Sequence, residues 1–410
     1  MTEGYRVRTV LYIQLSSGMG GSTHSLLLLA RHVREHGYRA IIAGPQDREG
    51  LCEEAERLDI PYYPLYLASW ARSDLHWRDL LYIPNRLNTL RRLAAICRRE
   101  RVDIVHSNLA NCLDGALAAH LLDLPHVFHI REEFRDLYRT YWGGTRGAVT
   151  VLRRLSDRVI AVSRSIAASF AEHGAGDTTC VIPNAVQVPP VPPGYQPAAV
   201  RAAYGLPVEA PIVAVIGTIA ARKGQIDLVR AIELIAEPLP DVHAAIVGDG
   251  YDDYAALVRA EIARLGLVER IHVMPHQRDI WPLLRAVDIV AVPSRAEGFG
   301  RIVIEAMGAG KPVIGAATGG IVDIIRDGEN GLLVPAASPQ HLAAAILRLL
   351  DDPAYRHRLA AAGERRARQD YCPTMQTRRV ASLYDDLLAG EPLFAGAMDS
   401  PQTKPGTYGR

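Results

Sequence analysis

Short apolar runs alternate with amphipathic stretches along most of the chain. Residues 8–15 carry the run VLYIQL, which reads as a buried strand. A glycine-bearing loop follows at 16–22, then a helix predicted over 23–36 that ends at Gly37, then a strand over 39–43. Further strands are predicted at 103–107, 126–130 and 158–163, and VIPNAV at 181–186 closes this half. A proline-rich stretch, 188–211, has few apolar clusters and reads as a linker. The pattern then restarts. Strands are predicted at 212–217, 244–248, 271–274, 289–292 and 312–315, with a helix opening at Gln225 and another at Arg301. After residue 335 the spacing is helical to about residue 370, and a last helix is predicted over 374–388. Strand, glycine loop, helix, repeated in two halves, is the pattern of doubly wound α/β sheets. In such sheets ligands lie at the carboxyl ends of the strands, where these loops are.

The predicted boundaries are a first domain over 1–187, a linker over 188–211, a second domain over 212–372, a helix over 373–388 and a disordered tail over 389–410. A length of 410 residues suffices for two cores. With 49% apolar and 22% charged residues the composition is that of an ordinary globular protein, and a net charge of +1 implies no bulk attraction to nucleic acid. Cys52, Cys97, Cys112, Cys180 and Cys372 show no metal-binding or framework spacing, which points to a reducing compartment. The polar N-terminus does not resemble a signal peptide, and no apolar run reaches the roughly 18–20 residues that span a bilayer. A cytoplasmic location is the expectation. One stretch qualifies it. Arg86, Arg91, Arg92, Arg98, Arg99 and Arg101 lie on a basic amphipathic helix near Trp70 and Trp77, a pattern of peripheral membrane contact or of an ordinary solvated face.

Four stretches carry chemistry. The loop 293–300 holds Glu297 with Gly298, Phe299 and Gly300, whose amides at a helix start suit an anion, and Glu305 follows in the helix. Two carboxylates around such a loop suit hydroxyls on either side of a diphosphate; alternatively Glu297 balances the helix dipole and Glu305 faces solvent. The loop 218–224 places Arg222 and Lys223 before a helix, where cations oppose the dipole and call for an anionic partner. Only three of the 46 basic residues are lysines, so Lys223 stands against a strong preference for arginine. The loop with Gly18, Gly20 and Gly21 fails the dinucleotide fingerprint, since the third glycine position is Thr23 and the next strand ends in Gly44. It is a ligand loop or a tight turn. His129 ends a strand before the charged residues Arg131, Glu132 and Glu133, in the crevice by the same rule, with His106 and His126 as lesser candidates among 14 histidines.

The stretch from Ser294 through Glu297-Gly298-Phe299-Gly300, Glu305-Ala306-Met307, Gly308-Ala309-Gly310 and Pro312-Val313-Ile314 resembles the signature of retaining glycosyltransferases of family 4, which have the GT-B architecture. The resemblance covers roughly residues 8–388. It implies two Rossmann-like domains facing a cleft, the acceptor mainly on the first, the nucleotide-sugar donor on the second, and the last helix crossing back. It implies that Gly20 and Gly21 lie beside the donor diphosphate, that His129 contacts the donor sugar, that Glu297 binds its hydroxyls and that Glu305 holds the ribose. Lys223 matches a family lysine on the diphosphate. The family's neighbouring arginine is replaced by Thr218, so Arg222 or Thr218 takes its part. The loop 276–280 falls where the family holds the base. No D-x-D lies near these motifs and cations stand there instead, so neither a metal nor a cofactor is expected. The expected reaction moves a sugar, from a UDP-sugar first and GDP-mannose next, to an acceptor hydroxyl. Nucleotide-sugar 2-epimerases share the architecture and are the rival activity; a non-catalytic nucleotide-sugar binder is the rival from another class.

Overall fold

The structure, a computed structural model, describes residues 6–47, 50–70, 83–132, 144–250 and 253–391. Trp77, Glu133 and nearly all of the predicted tail lie outside them. Two all-parallel sheets form. The first has seven strands in the order β3-β2-β1-β4-β5-β6-β7: β1 (Arg8–Ile13), β2 (Tyr38–Gly44), β3 (Tyr62–Pro64), β4 (Val102–Ser107), β5 (His126–Ile130), β6 (Arg158–Ala161) and β7 (Thr179–Val181). The second has six in the order β10-β9-β8-β11-β12-β13: β8 (Ile212–Ile216), β9 (His243–Val247), β10 (Ile271–Met274), β11 (Ile289–Val292), β12 (Val313–Ala316) and β13 (Leu332–Val334). The strands are apolar nearly throughout because helices cover both sheet faces; β1 is buried at every position after Arg8. Strand order reverses beside β1 in one sheet and beside β8 in the other. The loops leaving β1, β4, β8 and β11 therefore open at the two switch points, where doubly wound sheets bind ligands.

Several elements differ from expectation. The first helix starts at Gly21, and its last turn, Val33–His36, tightens to 3-10 before Gly37 at φ 81°. The region 188–211 holds a helix, Pro197–Ala203, opened by a proline at its first turn. Buried Arg201 fastens it, donating to the carbonyls of Ala286 and Val208 at 2.8 Å and Ala210 at 2.9 Å, and to Asp288 at 2.7 Å. An unforeseen helix, Asp253–Arg264, precedes β10. The long helical stretch after β13 is two helices, Pro339–Asp351 and Pro353–Asp370, because Pro353 cannot continue the first and Asp352 caps the second.

The basic helix is Ile83–Glu100, and its apolar side is taken up by the first sheet, with Leu93, Ile96 and Cys97 buried. Arg86 and Arg92 donate to the carbonyls of Ala68 and Pro64, and the Arg99 guanidinium lies over the Tyr63 ring. Among the described residues no helix is long and apolar enough to cross a membrane.

The chain crosses between the domains twice, after β7 and before the last helix, Pro373–Ala389. The two crossings are bonded to each other: Val186 N–H donates to the Tyr371 carbonyl at 2.8 Å, and Gln376 donates to the Pro183 carbonyl at 2.9 Å. The last helix packs on the first domain, burying Tyr384 fully, and its Asp385 accepts from the Tyr38 hydroxyl at 2.6 Å and from Arg8 at 2.8 Å.

Candidate active site

A cleft of about 600 Å³ lies between the two sheets. Ten of the eleven singled-out residues line it: Gly20, Gly21, Thr218, Arg222, Lys223, Gly298, Phe299, Gly300, Glu297 and Glu305. The eleventh, His129, lies behind the wall, fully buried.

On the first-domain side Gly20 caps the first helix with no side-chain bond of its own. Its φ of −81° needs no glycine, and a Cβ built there meets nothing within 4 Å. At Gly21 the nearest neighbour is 3.8 Å away, on Arg301. Packing therefore does not require these glycines; without side chains they let a ligand approach the backbone at a helix start, where the Gly20 amide donates to the Gly18 carbonyl at 2.9 Å. The loop itself is set by Thr23, whose hydroxyl donates to the Gly18 carbonyl at 2.7 Å.

On the second-domain side the loops after β8 and β11 interlock. Gly224 takes φ 71°, and a Cβ there would stand 2.1 Å from the Pro293 carbonyl oxygen. The Arg295 amide donates to the Arg222 carbonyl at 2.7 Å, and the Arg295 guanidinium pairs with buried Asp227 at 3.0 Å. These contacts carry Lys223 to Glu297, Nζ to Oε2, at 2.5 Å, with Ser294 Oγ donating to the same oxygen at 3.3 Å. The anionic partner that Lys223 called for is thus, in the free protein, the first glutamate of the neighbouring loop. Gly320 crosses beneath that loop so closely that a Cβ would stand 2.6 Å from the Gly298 carbonyl oxygen. Phe299 turns its ring inward against Tyr371, leaving its backbone to the cleft.

Glu305 is held apart from Glu297. Arg301 Nε donates to Glu305 Oε1 at 2.7 Å, and the same guanidinium reaches the Gly21 carbonyl at 3.2 Å and Ser25 Oγ at 3.4 Å. Sequence reasoning passed over Arg301. A cation opening a helix was the signal used for Lys223, and it applied here too. The cross-domain contact itself leaves no local trace.

Behind the first-domain wall lies a polar cluster. Arg131 Nε donates to Asn108 Oδ1 at 2.7 Å, Nη1 to Asn184 Oδ1, and Nη2 to His129 Nδ1 at 3.3 Å. His106 Nε2 lies 3.2 Å from the same His129 nitrogen, and His106 Nδ1 lies 2.6 Å from the Tyr384 hydroxyl. Burial first, then Arg131, holds both histidines well below the usual imidazole range, so both are neutral at pH 7. Burial lowers Arg131 itself to about 9, with Arg301 adding to the effect. His126 bonds Ser107 at 2.9 Å, away from the cleft. In the wall itself, burial raises the Glu132 carboxyl above its ordinary range, opposed by Arg222.

The cleft thus offers glycine backbone on both faces, two cations in one loop, and two carboxylates each held by a cation. That suits an anion at the centre with hydroxyl-bearing groups beside it.

The model of glycosyl transferases group 1 matches residues 198–366, and that of glycosyltransferase family 4 matches residues 19–188. The D-inositol 3-phosphate glycosyltransferase of Xylanimonas cellulosilytica is 33% identical over 288 residues, 65% of this chain and 68% of that protein. The protein of the same name from Corynebacterium glutamicum is 28% identical over 321 residues, 73% of this chain and 76% of that one. The crystal structure of Anabaena HepE in complex with UDP-glucose superposes with a TM-score of 0.79 at 25% identity, covering 92% of this chain and 99% of that one. With one sheet and one family model in each half, the chain belongs to the glycosyltransferases of family 4 type, with two Rossmann-like domains in the GT-B arrangement.

Proposed function

We propose that the chain moves a sugar from a nucleoside diphosphate sugar, a UDP-sugar first, to an acceptor hydroxyl with retention at the anomeric carbon and without a metal. The observation that carries this is the Lys223–Glu297 pair lining the same cleft as the side-chain-free loop of Gly20 and Gly21. A donor diphosphate competes for Lys223. Once the ammonium turns to phosphate, the Glu297 carboxylate accepts from hydroxyls of the transferred sugar in its place. Arg222, Thr218 and the amides of Gly298, Phe299 and Gly300 join Lys223 in stabilising charge on the departing diphosphate. The bond from the anomeric carbon to the diphosphate breaks, the acceptor oxygen bonds that carbon on the same face, and its proton passes to the leaving phosphate. Glu305 holds the ribose, and His129 serves the transferred sugar. That Anabaena HepE is known in complex with UDP-glucose supports the choice of base. Arg222 and Lys223, both lining the cleft, support neutralisation of the diphosphate by side chains instead of a metal.

The test is a panel of nucleotide sugars scored by thermal shift and by donor hydrolysis, with chelator and with added divalent ion. A UDP-sugar is expected to raise the melting temperature and to be hydrolysed slowly in chelator. Stabilisation by none of the panel would overturn the transferase reading, and hydrolysis only with added ion would overturn the metal-free one. An epimerised donor in the absence of acceptor would point to isomerisation instead.

A further inference from the structure

We propose that Tyr384 of the last helix, acting through His106 and alongside Arg131, is a positioning residue that fixes His129 as an Nε2–H donor. The protons follow from the partners. A guanidinium only donates, so His129 Nδ1, which faces Arg131 Nη2 at 3.3 Å, carries no proton. The proton between the two histidines then belongs to His106 Nε2, which donates to His129 Nδ1 across 3.2 Å. His106 Nδ1 is left as an acceptor, and the Tyr384 hydroxyl donates to it at 2.6 Å. The Tyr12 oxygen, 3.2 Å from the Tyr384 hydroxyl, is a longer and weaker alternative acceptor for the same proton.

The order is Tyr384, His106, His129, each donating to the next, and every group in it is fully buried. At its end His129 Nε2 is a buried donor with no partner among the described residues. Such groups are rare in native structures, and one beside a cleft wall is suited to meet an arriving acceptor. His129 is next to last in β5, two residues before Arg131 in the cleft wall. A neutral imidazole with its proton on the free nitrogen can donate to a hydroxyl or carbonyl oxygen of a ligand; the opposite tautomer cannot. His106 is held from both sides, so Tyr384, 278 positions away from it, orients a second donor to His129 Nδ1 beside Arg131.

That the awaited acceptor belongs to the transferred sugar rests on the function proposed above; the tautomer does not. The full chain, labelled with 15N-histidine, is to be examined by long-range proton–nitrogen correlation at pH 7. His129 is expected to show a bare Nδ1 and a protonated Nε2, and Tyr384→Phe to mix the tautomers of His106. In steady state, Tyr384→Phe is expected to lower kcat by about three- to tenfold, the size of one hydrogen bond, with donor KM held within about twofold. Tyr12→Phe, which keeps the Tyr384 hydroxyl, is the packing control and is expected to retain kcat. A proton on His129 Nδ1 in the parent protein overturns the proposal, as does an equal loss of kcat in both tyrosine variants. Parental turnover by His129→Ala, with the tautomers as assigned, supports the relay and overturns the sugar role of His129.

Discussion

The Lys223 ammonium lies 2.5 Å from Oε2 of Glu297, so a cation of one loop and a carboxylate of the next form a single unit. Their side chains are only 18% and 12% exposed, which limits screening by water. Lys223→Ala is expected to lower donor kcat/KM by about 100-fold, as when one donor to a developing oxyanion is removed. Lys223→Arg should fall between, because a planar fork replaces a point charge. In a cycle with Glu297→Gln the two effects are expected to be non-additive by on the order of 1 kcal/mol, read from unfolding curves. Additive effects would mean that the pair is not a unit.

Gly20 and Gly224 predict opposite consequences of the same change. Gly224→Ala places a Cβ 2.1 Å from the Pro293 carbonyl oxygen at φ 71°, so both loops must shift. A stability loss of about 2 kcal/mol or more is expected, with activity falling as Lys223 moves. Gly20→Ala meets nothing within 4 Å and should melt with the parent while losing donor affinity. Calorimetric unfolding and donor titration on both variants check this.

Arg301 ties the domains through Gly21 and Ser25 while holding Glu305. Arg301→Ala is expected to raise the radius of gyration of the free protein in solution scattering and to weaken donor binding by about tenfold, the size of one to two hydrogen bonds. An unchanged scattering profile would show that these contacts do not hold the cleft.

Acid should weaken the first domain early. Burial lowers His106, His126 and His129, the second to about 3, so the unfolded chain binds protons that the folded one does not. The stability these neutral groups contribute is complete above their unfolded value of about 6.5 and is lost as pH falls through the window below it. Each group adds a slope of up to about 1.4 kcal/mol per pH unit there. Urea unfolding at pH 7.0 and 5.5 measures the loss. His126→Asn, less stable at pH 7, should lose less of its stability over that interval.

The architecture was legible because strands buried on both faces leave continuous apolar runs, and because glycine loops follow them. Lys223 was legible as a cation where a helix dipole repels one. The helix Pro197–Ala203 was hidden by the prolines around it, although Pro197 at its first turn is itself a start signal. What spacing cannot carry is contact between distant segments. Arg301 meets Gly21 from 280 residues away, and Tyr384 meets His106 from 278. His129 was placed at the right strand end, but the burial of its ring behind Arg131 depends on three segments meeting there.

The bonded pair of crossings, Val186 to Tyr371 and Gln376 to Pro183, has a mechanical consequence. A single tether would let one domain twist, swing and slide against the other. Two adjacent tethers fixed to each other leave one angular coordinate, a bend about the line that joins them. Closing such a joint surrenders little rotational entropy, so more of the donor's binding free energy is available for affinity and for excluding water.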